Sequence, residues 1–194
     1  MGVGALKPAV FLDRDGVLNE AVVRDGKPYP PPSAGEVRIV SDASVALARL
    51  KSLELPLIVV TNQPDVARGT QTAEAVAAIH ERLRRELPID EFLTCFHDDR
   101  DRCECRKPKP GLILEGARRY GADLARSFLI GDRWRDIEAG KAAGCRTIWI
   151  DRGYRERKPE APDVRVQSLS GAAEWIAEEM HAGDTIPFNH ADHG

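Results

Sequence analysis

The feature that most constrains this chain's fold is a regular alternation of strand-sized apolar runs with helical patterns. The runs "AVFL" (9–12), "LPLIVV" (55–60), "FLTCF" (92–96), "SFLI" (127–130) and "RTIWI" (146–150) are short and densely apolar, as strands covered on both faces are. Between them Ala43, Ala46, Leu47 and Leu50, and then Val76, Ile79, Leu83 and Leu87, recur at helical spacing, so each segment carries one apolar stripe. Thr70 or Thr72 can cap the second of these helices, with Glu74 near its positive end. Further helices are predicted from near Pro110, after Asp132 and over roughly 171–181, the first because proline is tolerated in a first turn.

Such alternation predicts a three-layer, Rossmann-like α/β sandwich around a mostly parallel sheet of about five strands. A chain of 194 residues can bury a core of its own, and one domain is expected over 1–182. Residues 183–194 lack periodicity and are expected to form a disordered tail. "DGKPYPPPSAGEV" (25–37) is too rich in proline for regular structure and reads as a loop or flap. The N-terminus lacks the apolar core of a signal peptide, and no apolar run nears the ~18 residues of a membrane span. A cytoplasmic protein with no membrane partner is expected, as a monomer.

Open parallel sheets bind ligands beyond the carboxyl ends of their strands, so the residues just past each run test for function. They are "DRDGVLN" (13–19), "TNQ" (61–63), "RKPKPG" (106–111) and "GDRWRD" (131–136); the fifth, "DRGY" (151–154), is less telling. Asp13 and Asp15, two apart on an extended segment, suit a nucleophile and a proton donor. The alternative is an exposed acidic pair before Gly16, but ionised groups at the end of an apolar strand are costly unless paired or metal-bound. Asp132 and Asp136, a helical turn apart, can face the same cleft. Two acidic regions aimed at one point repel unless a cation lies between them, and hard oxygen ligands suit Mg²⁺. Here the alternative is a helix cap by Asp132 and a solvated Asp136. Thr61 offers a hydroxyl, and Lys107 a compact charge suited to a phosphoryl group.

The stretches "FLDRDGVLN", "VVTNQPDVARG", "CRKPKPG" and "IGDRWRDIEAG" resemble, in order, the four motifs of the haloacid dehalogenase (HAD) superfamily and, with the strand that leads into the first, span residues 9–140. "TNQ…ARG" and "CxCRKPxPG" resemble its branch of heptose 1,7-bisphosphate and histidinol-phosphate phosphatases. The resemblance implies an aspartyl-phosphate route. Asp13 would attack phosphorus; Asp15 would protonate the leaving oxygen and then activate water. Mg²⁺ would be held by the Asp13 and Asp132 carboxylates and the Asp15 backbone carbonyl, with Asp136 a supporting acid. Thr61 and Lys107 would bind the transferring phosphoryl oxygens, and Asn62, Gln63, Arg106 and Arg133 would meet the substrate.

Neither the interval from Asp13 to Thr61 nor that from Thr61 to Lys107 has room for an inserted cap domain, so an open site for a small substrate is expected. Removal of the 7-phosphate of D-glycero-D-manno-heptose 1,7-bisphosphate leads, with histidinol phosphate or another small sugar phosphate as the alternative. A DNA 3′-phosphatase shares some of these elements, but a net charge of −3 argues against a nucleic-acid partner.

Cys95, His97, Cys103 and Cys105 form C-x-H-x5-C-x-C, a set suited to tetrahedral Zn²⁺ with no open position, hence structural. Reduced thiols in a charged loop are the alternative; the odd number of thiols in the cluster disfavours disulfides. Cys145 reads as a buried apolar residue. His80 reads as a helix-face residue and His190 and His193 as tail, without a role.

Overall fold

The computed structural model describes residues 6–183. In chain order its elements are β1 (Val10–Leu12), β2 (Val22–Arg24), β3 (Lys27–Tyr29), α1 (Ala43–Ser52), β4 (Leu57–Asn62), α2 (Ala73–Glu86), β5 (Glu91–Cys95), α3 (Gly111–Tyr120), β6 (Phe128–Gly131), α4 (Trp134–Ala143), β7 (Arg146–Ile150), β8 (Val164–Val166) and α5 (Leu169–Gly183). The main sheet runs β5-β4-β1-β6-β7-β8 with every neighbour parallel. The expected tail falls almost wholly outside the described residues, as do His190 and His193.

Strand alternation builds the three layers. Val10 and Leu12, Leu57 and Val59, and Phe128 and Ile130 face one core with α1, α2 and α5. Phe11, Ile58, Val60 and Leu129 face the other with α3 and α4. Both faces are covered, so the central strands read as unbroken apolar runs. Each fully buried Leu or Ile contributes about 1.5–3 kcal/mol relative to an exposed one. At α3 the approach is close: a Cβ on Gly116 would lie 2.8 Å from the Phe11 ring and 3.3 Å from Ile58.

The structure differs from the sequence reading at two elements. The sheet has six strands rather than about five, because "VRV" adds a short, partly exposed edge strand. The start of the proline-rich segment is ordered: β2 and β3 pair as an antiparallel hairpin. Its turn is Asp25-Gly26, with φ of 50° and 76°, the left-handed pair a tight hairpin requires and Gly26 readily supplies.

Other expectations hold. Thr72, rather than Thr70, caps α2 by accepting from the Ala75 amide at 3.1 Å, and α3 follows Pro110 directly. Only the hairpin, one 3₁₀ turn and α1 separate β1 from β4. Among the described residues no helix is long and apolar enough to cross a membrane.

Candidate active site

The loops after β1, β4, β5 and β6 meet at one rim of the sheet. Asp13 directly follows β1, its amide donating to the Ile130 carbonyl at 2.9 Å. Asp136 stands in the first turn of α4, where its Oδ2 accepts from the Arg133 amide at 3.0 Å. Lys107 joins them. Its ammonium lies 2.8 Å from Asp13 Oδ1, 2.6 Å from Asp136 Oδ1 and 2.7 Å from the Val60 carbonyl, so its three donors have three acceptors. Burial opposes the charge on Lys107, but Asp13 and Asp136 outweigh it and hold the ammonium above its ordinary pKa. Asp136, expected as a supporting acid, is thus the second counter-ion of Lys107.

Asp132 is different. It is buried, and neither carboxylate oxygen has a hydrogen-bond partner. Burial, then the charges of Asp13 and Asp136, push its pKa well up. Burial also raises Asp13 to about 6, with Asp136 and Asp15 adding and Lys107 opposing. Oxygens of Asp13, Asp132 and Asp136 lie within 4.8 Å of one another. Orphaned, buried carboxylate oxygens are costly, and a divalent cation taking hard oxygen ligands relieves that cost. Asp13 and Asp132 are the pair best placed for one, since Asp136 is already engaged. The loop carrying Asp15 can approach only because residue 16 is glycine: its φ is +87°, and a Cβ there would fall 1.7 Å from Asp132 Oδ2.

Asp15 is held from several sides. Arg14 forks it at 3.1 and 2.9 Å, and the amides of Asn19 and Gln63 donate at 3.0 and 2.8 Å. Burial favours its neutral form, but these donors prevail and its pKa falls below the usual value.

The remaining expected residues divide by position. A cavity of about 270 Å³ is lined by Asp13, Asp15, Asn62, Arg106, Lys107 and Arg133, together with Asp136. Thr61 and Gln63 are not among its walls. Both are buried, and the Gln63 amide bonds Thr61 Oγ1 at 2.8 Å as well as Asp15. Asn62 borders the cavity, yet its side chain is spent on the Lys107 backbone, accepting from its N–H at 3.1 Å and donating to its carbonyl at 3.0 Å. Arg106 bonds Asp99 at 2.8 Å, and Arg133 bonds both oxygens of Glu156 at 2.8 and 2.5 Å.

Several residues here were not expected individually, although Arg68, Arg135 and Tyr154 fall inside stretches singled out above. Lys27 and Tyr29 of the hairpin, with Arg68 and Arg135, line the same cavity. Tyr154 borders a small pocket beside Asp132, outside hydrogen-bonding geometry with it. The "DG" turn was the one legible pointer to the hairpin; "GDRWRD" and "DRGY" marked the segments of Arg135 and Tyr154 without singling out either side chain.

Next to this rim the three thiols and the imidazole converge. Sulfur–sulfur separations are 3.1–3.7 Å, and His97 Nδ1 lies 3.6 Å from Cys95 and 3.3 Å from Cys105. These spacings are close to the ~3.8 Å edge of a tetrahedral zinc–thiolate site, so the cluster can hold zinc. Burial raises the thiol pKa values of Cys95 and Cys105, which leaves them protonated until a cation displaces the protons.

The HAD-hydrolase-like family model matches residues 104–172. A D-glycero-β-D-manno-heptose-1,7-bisphosphate 7-phosphatase of Bordetella bronchiseptica is 34% identical over 182 residues, covering 88% of this chain and 98% of its own. A 7-phosphatase of Mycobacterium bovis named for the α-anomer is 36% identical over 152 residues, covering 73% of this chain and 78% of its own. The crystal structure of a D,D-heptose 1,7-bisphosphate phosphatase from B. bronchiseptica, complexed with magnesium and phosphate, superposes with a TM-score of 0.74 at 30% identity, covering 89% of this chain and 99% of that one. A shared strand order would establish a fold and no more. Identity at this level along nearly the full length of such relatives goes further, and the chain belongs to the HAD-type phosphatases, in the family of the heptose 1,7-bisphosphate 7-phosphatases.

Proposed function

We propose that this phosphatase removes the 7-phosphate of D-glycero-D-manno-heptose 1,7-bisphosphate through an aspartyl-phosphate on Asp13. The observation that carries the reading is the buried set of Asp13, Asp132 and Lys107 at one rim: a carboxylate, an orphaned metal-type carboxylate and a fixed cation. Asp13 and Asp132, with the Asp15 carbonyl, would hold Mg²⁺, which when bound supplies the positive charge that lets a phosphate dianion approach a carboxylate.

A free oxygen of Asp13 attacks phosphorus in line with the sugar oxygen, and the P–O(sugar) bond breaks as the acyl phosphate forms. Lys107, on the cavity wall, meets the phosphoryl oxygens as charge spreads over them, and the Thr61 hydroxyl, which lies behind that wall in the resting site, would join it. To do so the Lys107 ammonium gives up one of its three resting acceptors. Asp15 hands a proton to the leaving oxygen, then takes one from the water that attacks the acyl phosphate. Its resting donors favour the ionised form, which suits the second half-reaction; the arriving dianion raises its proton affinity for the first. Arg106 and Arg133, with the hairpin opposite, receive the rest of the sugar.

The zinc clip has a structural part in this reading. Cys105 is followed at once by Arg106 and Lys107, so closing the cluster places both cations. Residues 1–182 are read as one phosphatase domain, since the strand ends and loops of a single sheet supply Asp13, Asp15, Thr61, Lys107 and Asp132 alike. Phosphate release from the α- and β-heptose bisphosphates, other sugar bisphosphates and histidinol phosphate tests the proposal. The expected outcome is one phosphate per heptose bisphosphate, leaving the 1-phosphate, with histidinol phosphate turned over far more slowly. Preference for histidinol phosphate would overturn the substrate.

A further inference from the structure

We infer that His80 is a positioning residue for Asp15, acting through Arg14. The Arg14 side chain is fully buried and has two commitments. Its Nε and one terminal nitrogen fork Asp15, and its other terminal nitrogen lies 3.1 Å from His80 Nε2. A guanidinium only donates, so His80 Nε2 must be the accepting, unprotonated nitrogen, with the ring proton on Nδ1. Burial and the charge of Arg14 push the imidazole down to about 3, so it remains a neutral acceptor at any working pH.

The ring is fixed in turn. It stacks on Phe92 with centroids 4.4 Å apart and planes at 17°, and the Arg84 guanidinium lies 5.1 Å from the Phe92 centroid. The choice of residue fits the task. An apolar side chain would leave a buried N–H without a partner. A carboxylate would compete with Asp15 for the charge of Arg14. A neutral acceptor sets the plane of the fork and leaves its charge to Asp15.

The inference rests on the reading of Asp15 as the acid that protonates the leaving oxygen. Such an acid matters most for a poor leaving group: a sugar alkoxide needs the proton, whereas p-nitrophenolate departs without it. His80→Phe retains a ring against Phe92 but removes the acceptor; His80→Gln restores one. The measurement is kcat/KM, which reports the steps through formation of the acyl phosphate, on heptose bisphosphate and on p-nitrophenyl phosphate at saturating Mg²⁺.

His80→Phe is expected to lower the sugar-phosphate value about tenfold or more and the aryl value less than about threefold, with His80→Gln recovering most of the loss. Equal losses on both esters, or none, would overturn the inference. Asp15→Asn is the reference. If it lacks the ester-selective loss, the reading of Asp15 falls and the inference with it; if it shows the loss and His80→Phe does not, the inference alone falls. Should His80→Phe fail to fold, His80→Met, also without a strong acceptor, carries the same comparison.

Discussion

At the scale of single residues, Lys107 pairs two buried carboxylates, and the proposed reaction gives the same charge a part in the chemistry. Its ammonium is the only cation in hydrogen-bond contact with both Asp13 and Asp136 among the described residues. Lys107→Met would strand two buried carboxylates, and removing one partner of such a group costs about 3–5 kcal/mol. The metal-free protein should therefore melt at a clearly lower temperature. Turnover should fall by roughly 10²–10³, the usual loss when a donor to a developing oxyanion is removed. Mg²⁺ should recover more of the variant's stability than of the wild type's, because Asp13 is freed for it. Unchanged turnover would remove Lys107 from the chemistry.

A pH dependence follows from Asp13. Its pKa in the folded state, about 6, lies above the ordinary 3.8, so between those values the native protein holds a proton that the unfolded chain has lost. By linkage, metal-free stability falls as pH rises through that window, and this group contributes no further change above it. Metal binding needs the ionised carboxylates, so the stabilisation by Mg²⁺ should grow as pH rises through about 6. Thermal melts at pH 5 and pH 7.5, with and without Mg²⁺, check both signs. A larger metal effect at the lower pH would contradict the assignment of Asp13 as a ligand.

At the scale of elements, the loop after β5 joins a candidate zinc cluster directly to Arg106 and Lys107, which the proposed reaction uses. Its 3₁₀ turn (Asp99–Asp101) is capped by Asp98, and Asp98 and Asp99 engage Arg68 and Arg106 on either side, so the cluster and the cavity wall are one unit. Cys103→Ser should lose bound zinc and lower kcat/KM by about tenfold, a size typical of losing support around a site, with the metal dependence of Mg²⁺ binding retained. Zinc content by elemental analysis and activity on the same sample decide it; a zinc-free variant of full activity would separate the cluster from the reaction.

The strands at the centre were legible in the sequence because burial on both faces makes them continuous apolar runs. β8 was not, since three half-exposed residues at a sheet edge carry no such pattern. The hairpin was hidden by its prolines, although Pro28 sits within a two-stranded ribbon where a missing N–H is tolerated.

At the scale of the whole molecule, the candidate site was legible where residues follow strand ends and opaque where their value depends on distant parts of the chain. Asp13, Asp15, Lys107 and Asp132 stand just past apolar runs or beside the cysteine pattern. His80 meets Arg14 across 66 positions, and nothing in its helix marks it apart from its neighbours. Of the two side chains expected to meet the substrate, Gln63 is buried on Asp15, while Asn62 borders the cavity with its amide committed to the Lys107 backbone. With no domain inserted over the rim, the cavity is walled by the hairpin, the zinc loop and α4's first turn, which leaves selectivity to short loops.

All of this turns on Asp13 as the atom that receives the phosphoryl group. The most direct measurement is a rapid acid quench of the Mg²⁺-loaded enzyme during turnover of heptose bisphosphate labelled in the 7-phosphate, followed by peptide mapping. Label is expected on the peptide holding Asp13 as a hydroxylamine-labile acyl phosphate, absent from Asp13→Asn. Label on another residue, or turnover by Asp13→Asn at the wild-type rate, would contradict it.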